Sequence, residues 1–159
     1  MDARTAESVS IDHLKTMLGQ EIGVSSWHEV TQDMIDRFAD VTGDHQFIHV
    51  DPKRAQAETP FGGTIAHGFL TLSLLPMLRH EALPALANQA MGINYGLDRV
   101  RFLAPVKSGA RLRGRFTLKE ISARSDKEAL FRYQVTVEIE GGEKPALVAE
   151  TLALAVLSS

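Results

Sequence analysis

The stretch that decides the fold is Ala66-His67-Gly68-Phe69-Leu70-Thr71-Leu72-Ser73-Leu74-Leu75-Pro76-Met77-Leu78-Arg79-His80. Its leucines, Phe69 and Met77 fall on nearly every side of a helical wheel, which leaves no polar stripe for water. A helix of that kind belongs inside a fold rather than on its surface. Pro76 has to kink or shorten it. Upstream, Pro60, Gly62 and Gly63 mark the loop that delivers the chain to it. His67, Gly68 and Pro76 interrupt the apolar run, and it is too short to span a bilayer.

Downstream of this helix the period changes from helical to alternating. Residues 92–103 read as a strand. Leu112, Gly114, Phe116 and Leu118 alternate with Arg111, Arg113 and Arg115, and Phe131, Tyr133, Val135, Val137 and Ile139 alternate with Arg132, Gln134, Thr136 and Glu138. Both are half-buried antiparallel strands with one wet face, on which the arginines are the solvated side. Gly141-Gly142 is a turn, and residues 147–157 are apolar enough for a central strand.

Upstream, Ile11, Leu14, Met17 and Leu18 give a short amphipathic helix that stops at Gly19, and residues 21–30 can pair as a strand. Thr31 then caps a clearer helix that carries Asp33 in its first turn and ends at Gly43. After Asp51-Pro52, residues 53–57 can form one or two further helical turns. Helices first and then a run of strands, with one wholly apolar helix, define an α+β fold: an antiparallel sheet wrapped around a buried helix.

The 159 residues carry no repeat or linker, so one domain is expected over 1–159, with the small polar residues 1–9 loose. Hydrophobic residues make up 44% and charged residues 23%, an ordinary globular balance. With 17 basic and 20 acidic residues the net charge is -3, which gives no general attraction to nucleic acid. Cysteine is absent, so disulfides, thiolate metal sites and a cysteine nucleophile are excluded. No export signal is seen at the N-terminus, and a cytoplasmic protein without membrane attachment is expected.

The densest polar information lies in Thr42-Gly43-Asp44-His45-Gln46-Phe47-Ile48-His49-Val50-Asp51-Pro52. Asp44 and His49 follow a glycine-ended helix on what reads as non-helical backbone, and from there they can converge on one small site. Adding water across a conjugated double bond needs one group to deprotonate the water and a group to protonate the alpha carbon. A neutral histidine suits the first task near neutral pH, and a carboxylate can orient the water and shuttle the second proton. Spacing alone equally allows a helix cap and a surface residue. His45 and His49 stand four apart, but Gly43 has ended the helix that would align them, so no metal set is expected. No phosphate-cradling glycine loop or serine-nucleophile elbow is present.

Phe38-Ala39-Asp40-Val41-Thr42-Gly43-Asp44-His45-Gln46-Phe47-Ile48-His49, with Ala55 beyond, resembles the hydratase motif of the MaoC-like, R-specific enoyl-CoA hydratases. Gln46 stands for the usual Asn and Phe47 for the usual Pro, as in the NodN-like branch; these departures leave Asp44 and His49 intact and leave the substrate preference open. Phe61-Gly62-Gly63-Thr64-Ile65-Ala66-His67-Gly68-Phe69 resembles the family's approach to its central helix. Asn94-Tyr95-Gly96-Leu97-Asp98-Arg99-Val100-Arg101-Phe102, with Pro105-Val106, resembles the first sheet strand after it. The three motifs stand in the family's order and cover most of residues 20–110.

The resemblance implies a hot-dog fold, a homodimer with a substrate tunnel at its interface, and reversible hydration of a trans-2-enoyl-CoA to an R-3-hydroxyacyl-CoA. No cofactor is needed beyond the thioester carrier. Asp44 and His49 would hold the water, and the backbone N–H of Gly68 would receive the charge that develops on the thioester oxygen. Gln46, His67, Asn94 and Tyr95 are candidates for contact with the substrate, and Arg99 and Arg101 for the coenzyme A phosphates. For each a plainer role stands beside it: His67 a satisfied core histidine, Tyr95 a packing aromatic, the arginines solvated charges. Two other functions fit the same fold: an acyl-CoA thioesterase, and a non-catalytic acyl-CoA-binding module.

Overall fold

A computed structural model describes residues 8–158. Of the N-terminal stretch expected to be loose, residues 1–7 lie outside this range, while Val9 is tied down. Its N–H donates to the Ala85 carbonyl, and its own carbonyl accepts from Ala87. In chain order the elements are α1 (Ile11–Lys15), β1 (Glu21–Val24), β2 (His28–Glu29), α2 (Gln32–Thr42), α3 (Phe47–Val50), α4 (Pro52–Glu58), α5 (Gly68–Ser73), α6 (Leu75–Ala82), β3 (Gln89–Phe102), β4 (Arg111–Ser125), β5 (Glu128–Ile139) and β6 (Leu147–Leu157). The strand expected over residues 21–30 is two short ones, broken between Val24 and His28.

Every pairing between named strands is antiparallel, in the order β1-β4-β5-β6-β3, with β2 also on β4. Leu112, Phe116, Leu118, Val135, Val137 and Leu147 bury fully on the inner face, where they meet Leu70, Leu75 and Leu78 of the helix that the sheet wraps. On the outer face the arginines find partners. Arg111 pairs with Glu140 at 3.0 Å, Arg113 with Glu138 at 2.6 Å and Arg115 with Glu21 at 2.8 Å. Pairs that exposed contribute at most about 1 kcal/mol each.

Residues 66–80 depart from expectation in two ways. The helix is two segments meeting at Leu74, with the ladder carried across by Leu74 N–H to Leu70 O at 3.2 Å and Leu78 N–H to Leu74 O at 3.1 Å. Pro76 therefore falls in the first turn of α6, where a missing N–H is least felt. The helix also has an open face: Phe69 is 68% exposed and Met77 42%. Apolar composition shows that a residue wants cover, not that its own chain supplies it.

Strand β3 forms one margin of the sheet and is exposed along most of its length. Met91, Ile93, Leu97 and Phe102 stand out from it as large exposed apolar side chains. No helix among the described residues is long and apolar enough to cross a membrane.

Candidate active site

The site begins at the end of α2. Thr31 caps that helix by accepting from Met34 N–H at 3.2 Å. Gly43 closes it at φ 77°, a left-handed conformation that glycine adopts without strain, and its N–H donates to Ala39 O at 2.8 Å. The reversal presents Asp44, whose Oδ1 accepts from the Gln46 N–H at 3.4 Å.

The backbone then turns helical again, contrary to the non-helical reading of this stretch: Phe47–Val50 make the single turn α3. Four residues are too few to show a helical period, and the turn is held from outside. Ile65 N–H donates to Ile48 O at 3.0 Å, and Gln32 Nε2 donates to His49 O at 2.7 Å. Thr64 Oγ1 in turn donates to Gln32 Oε1.

This turn carries His49 inward until the residue is only 7% exposed. His49 Nδ1 lies 2.7 Å from the Ile65 carbonyl. A carbonyl can only accept, so Nδ1 carries the proton and Nε2 is left as the basic atom. Burial pushes the His49 pKa below its ordinary value, the Ile65 carbonyl opposes that shift, and His67 adds to it. The ring is therefore neutral at neutral pH.

His67 stands immediately before α5 and is 3% exposed. Its segment is fixed by Ala66 N–H to Val106 O at 2.7 Å and Ser108 N–H to Thr64 O at 3.0 Å. The ring stacks on His49 with centroids 3.8 Å apart and meets Phe38 at 5.1 Å. Nε2 donates to the Asp44 backbone carbonyl at 2.9 Å, while Nδ1 is buried without a partner. This is not the satisfied core histidine of the plainer reading. It ties the Asp44 loop to the start of α5 and keeps one lone pair unused.

Asp44, His49 and His67 each offer one polar atom, and these three atoms lie within 4.8 Å of one another. That spacing suits one small guest shared among them. The donor types would also accept a divalent metal, and His67 rather than His45 is the second imidazole of that set. His45 turns away to Asp40 at 2.9 Å, and the hydrogen bond to Asp40 raises its pKa.

Gly68 is the first residue of α5, and its N–H has no acceptor among the described residues. A Cβ added there would meet three ring carbons of Phe102 at 3.1 to 3.2 Å. Gln46 is exposed and occupies the N-cap position of α3 without a side-chain cap bond.

The remaining candidates are dispersed. Asn94 lines a cavity of about 280 Å³ between the helix and the sheet. Tyr95 does not line it; its hydroxyl accepts from Arg124 Nη2 at 2.7 Å. Tyr95 is the extra residue where the β3–β6 register shifts between Asn94 and Gly96, and its side chain reaches Arg124 rather than the cavity. Arg99 stands 83% exposed on a bulge at φ 54°, 3.9 Å from Glu150, and Arg101 donates to the Val100 carbonyl at 2.8 Å. Neither arginine is among the three convergent groups.

Sequence reasoning missed Gln32 and gave His67 no structural task. Both act through partners distant in sequence, and a glutamine opening a helix carries no signal of its own.

Comparison with known proteins gives the family and the fold. Residues 13–139 match the family described as MaoC like domain. The chain is 52% identical over 147 residues to Nodulation protein N of Rhizobium meliloti (strain 1021), covering 92% of this chain and 91% of that protein. It is 47% identical over 149 residues to 3-hydroxyacyl-thioester dehydratase Z of Mycobacterium tuberculosis (strain ATCC 25618 / H37Rv), covering 94% and 96%. Among solved structures, an unliganded R-hydratase from Pseudomonas aeruginosa matches with TM-score 0.69 at 25% identity, covering 89% of this chain and 83% of that one.

Proposed function

Since the chain belongs to the MaoC-like dehydratase family and has its hot-dog fold, we propose that it reversibly hydrates a trans-2-enoyl-CoA to the R-3-hydroxyacyl-CoA. The observation that carries this reading is the convergence of the Asp44 carboxylate and the His49 imidazole within 4.8 Å, enough for one water between them. His49 Nε2 takes a proton from that water as its oxygen bonds to the beta carbon. The double-bond electrons move toward the thioester carbonyl, whose oxygen gains charge facing the Gly68 N–H. Asp44 orients the water and relays a proton to the alpha carbon. Atoms balance: one water enters, one C–O and one C–H bond form, and the proton held by the pair returns to the product. No cofactor takes part.

His67 supports the geometry by holding the Asp44 carbonyl, and its unpartnered Nδ1 offers a second acceptor for water. Arg99 and Arg101 are exposed cations available to the phosphates of coenzyme A. The working unit is a homodimer. The margin of β3, with Met91, Ile93 and Leu97, and the open helix face with Phe69 and Met77 are too apolar to remain in water. A second copy laid against them would cover both.

The test is incubation with crotonyl-CoA, following loss of enoyl absorbance and thiol release in parallel, with product chirality determined. Hydration to the R product without thiol release is expected. Thiol release without hydration would make it a thioesterase, and tight binding without turnover an acyl-CoA-binding module.

A further inference from the structure

The cavity between the helix and the sheet holds polar groups that the hydration chemistry does not use. Gly68, Leu72, Leu75 and Arg79 fall at i, i+4, i+7 and i+11, so they share one face of the α5–α6 helix. The face leads from the proposed thioester position into the cavity, whose walls include Leu72, Leu75 and Phe116. From Gly68 to Arg79 the axis advances roughly 16 Å, and the arginine side chain leans back toward the helix start. An acyl chain lying along this face would meet apolar walls first and then a polar end.

At that end three groups offer hydrogen-bond donors. Thr151 is among the residues lining the cavity, it is only 8% exposed, and its Oγ1 is buried with no partner. The Arg79 guanidinium donates to Asn94 Oδ1 over a long 3.4 Å, which leaves the Asn94 amide N–H groups facing outward from that bond. Among the described residues Arg79 has no carboxylate partner, whereas Arg111, Arg113, Arg115 and Arg132 all have one. A buried hydroxyl without a partner is unfavourable, and a guest with acceptor oxygens would pair with it and with the counter-ion-free guanidinium together.

We infer that the preferred acyl chain ends in a carboxylate, received by Arg79, Asn94 and Thr151 at the far end of the helix–sheet cavity. This rests on the hydratase reading and narrows its substrate class to omega-carboxy enoyl thioesters.

The test compares kcat/KM for trans-2-hexenoyl-CoA and trans-2-hexenedioyl-CoA, and for the corresponding octenoyl pair. The carboxylated member of at least one pair should win by about 10-fold or more, because a site built for polar groups rejects the analogue lacking them. Arg79→Met and Thr151→Val should each shrink that ratio, a readout unaffected by partial loss of folded protein. A preference for the plain chains would overturn the inference. So would an Arg79→Met variant that slows both members equally, which would assign the arginine to coenzyme A. Calorimetric titration of the intact protein with the saturated thioesters adipyl-CoA and hexanoyl-CoA separates the two readings. Tighter adipyl-CoA binding without any turnover would uphold the carboxylate pocket and sink the hydratase; equal binding alongside crotonyl-CoA hydration would do the reverse.

Discussion

Replacing Gly68 with alanine separates the proposed oxyanion contact from simple packing. The new Cβ would lie 3.1 to 3.2 Å from three carbons of the Phe102 ring. That is roughly half an ångström inside ordinary carbon–carbon contact. Phe102 is 47% exposed and rests edge-on against Phe69 with centroids 5.8 Å apart, so its ring has room to retreat. Overpacking a site that can yield costs about 1 kcal/mol, and alanine returns up to about 1 kcal/mol of helix propensity. The net change should be small, moving Tm by no more than about 4 °C. The rate is another matter, because the methyl is added to the carbon that bears the N–H the thioester must approach. Losing one oxyanion donor outright costs about 100-fold or more, so a partial block should lower kcat/KM by about 10-fold or more. Initial rates with crotonyl-CoA beside thermal unfolding of the same sample give both numbers. An unchanged rate at unchanged Tm would remove Gly68 from the chemistry, and a rate that falls only with Tm would reduce it to packing.

Three further outcomes are expected. Burial sets the His49 pKa below 6.5, so the acid limb of kcat/KM should lie below that value. The same depressed pKa stabilises the fold above pH 6.5, with the contribution lost as pH falls through the folded value; an acid limb whose half-maximal point lies above pH 6.5 would contradict the depression. Gln32→Ala removes the bonds to the His49 carbonyl and Thr64, and should cost about 1 to 3 kcal/mol by denaturant titration together with a lower kcat. Met91→Lys with Ile93→Lys should turn a dimer into a monomer by light scattering; a wild-type monomer at micromolar concentration would show that the β3 margin is not an interface.

Local signals made much of the fold legible. Thr31 and Gly43 bracket α2 through contacts within four residues, and the alternation of Leu112, Phe116 and Leu118 declares which face of β4 is buried. What stayed hidden depends on partners far along the chain. Helix α3 exists because Gln32 and Ile65 hold it, and His67 gains its task only when the chain returns to Asp44. The open face with Phe69 and Met77 was illegible for another reason, since hydrophobicity does not say whether cover comes from the same molecule. At the site, the motif pointed to Asp44 and His49, which the fold brings within 4.8 Å, while the separation of Tyr95 from Asn94 comes from a register shift in β3 that the sequence does not signal.

The most direct test of the shared-water pair is the turnover of crotonyl-CoA by Asp44→Asn, His49→Ala and the double variant, each shown to be folded by circular dichroism. Each single change should lower kcat by about 100-fold or more, and the double change should add little, because groups acting as a unit are not additive. Near-normal turnover in either single variant, or losses that multiply in the double, would contradict a water held between the two.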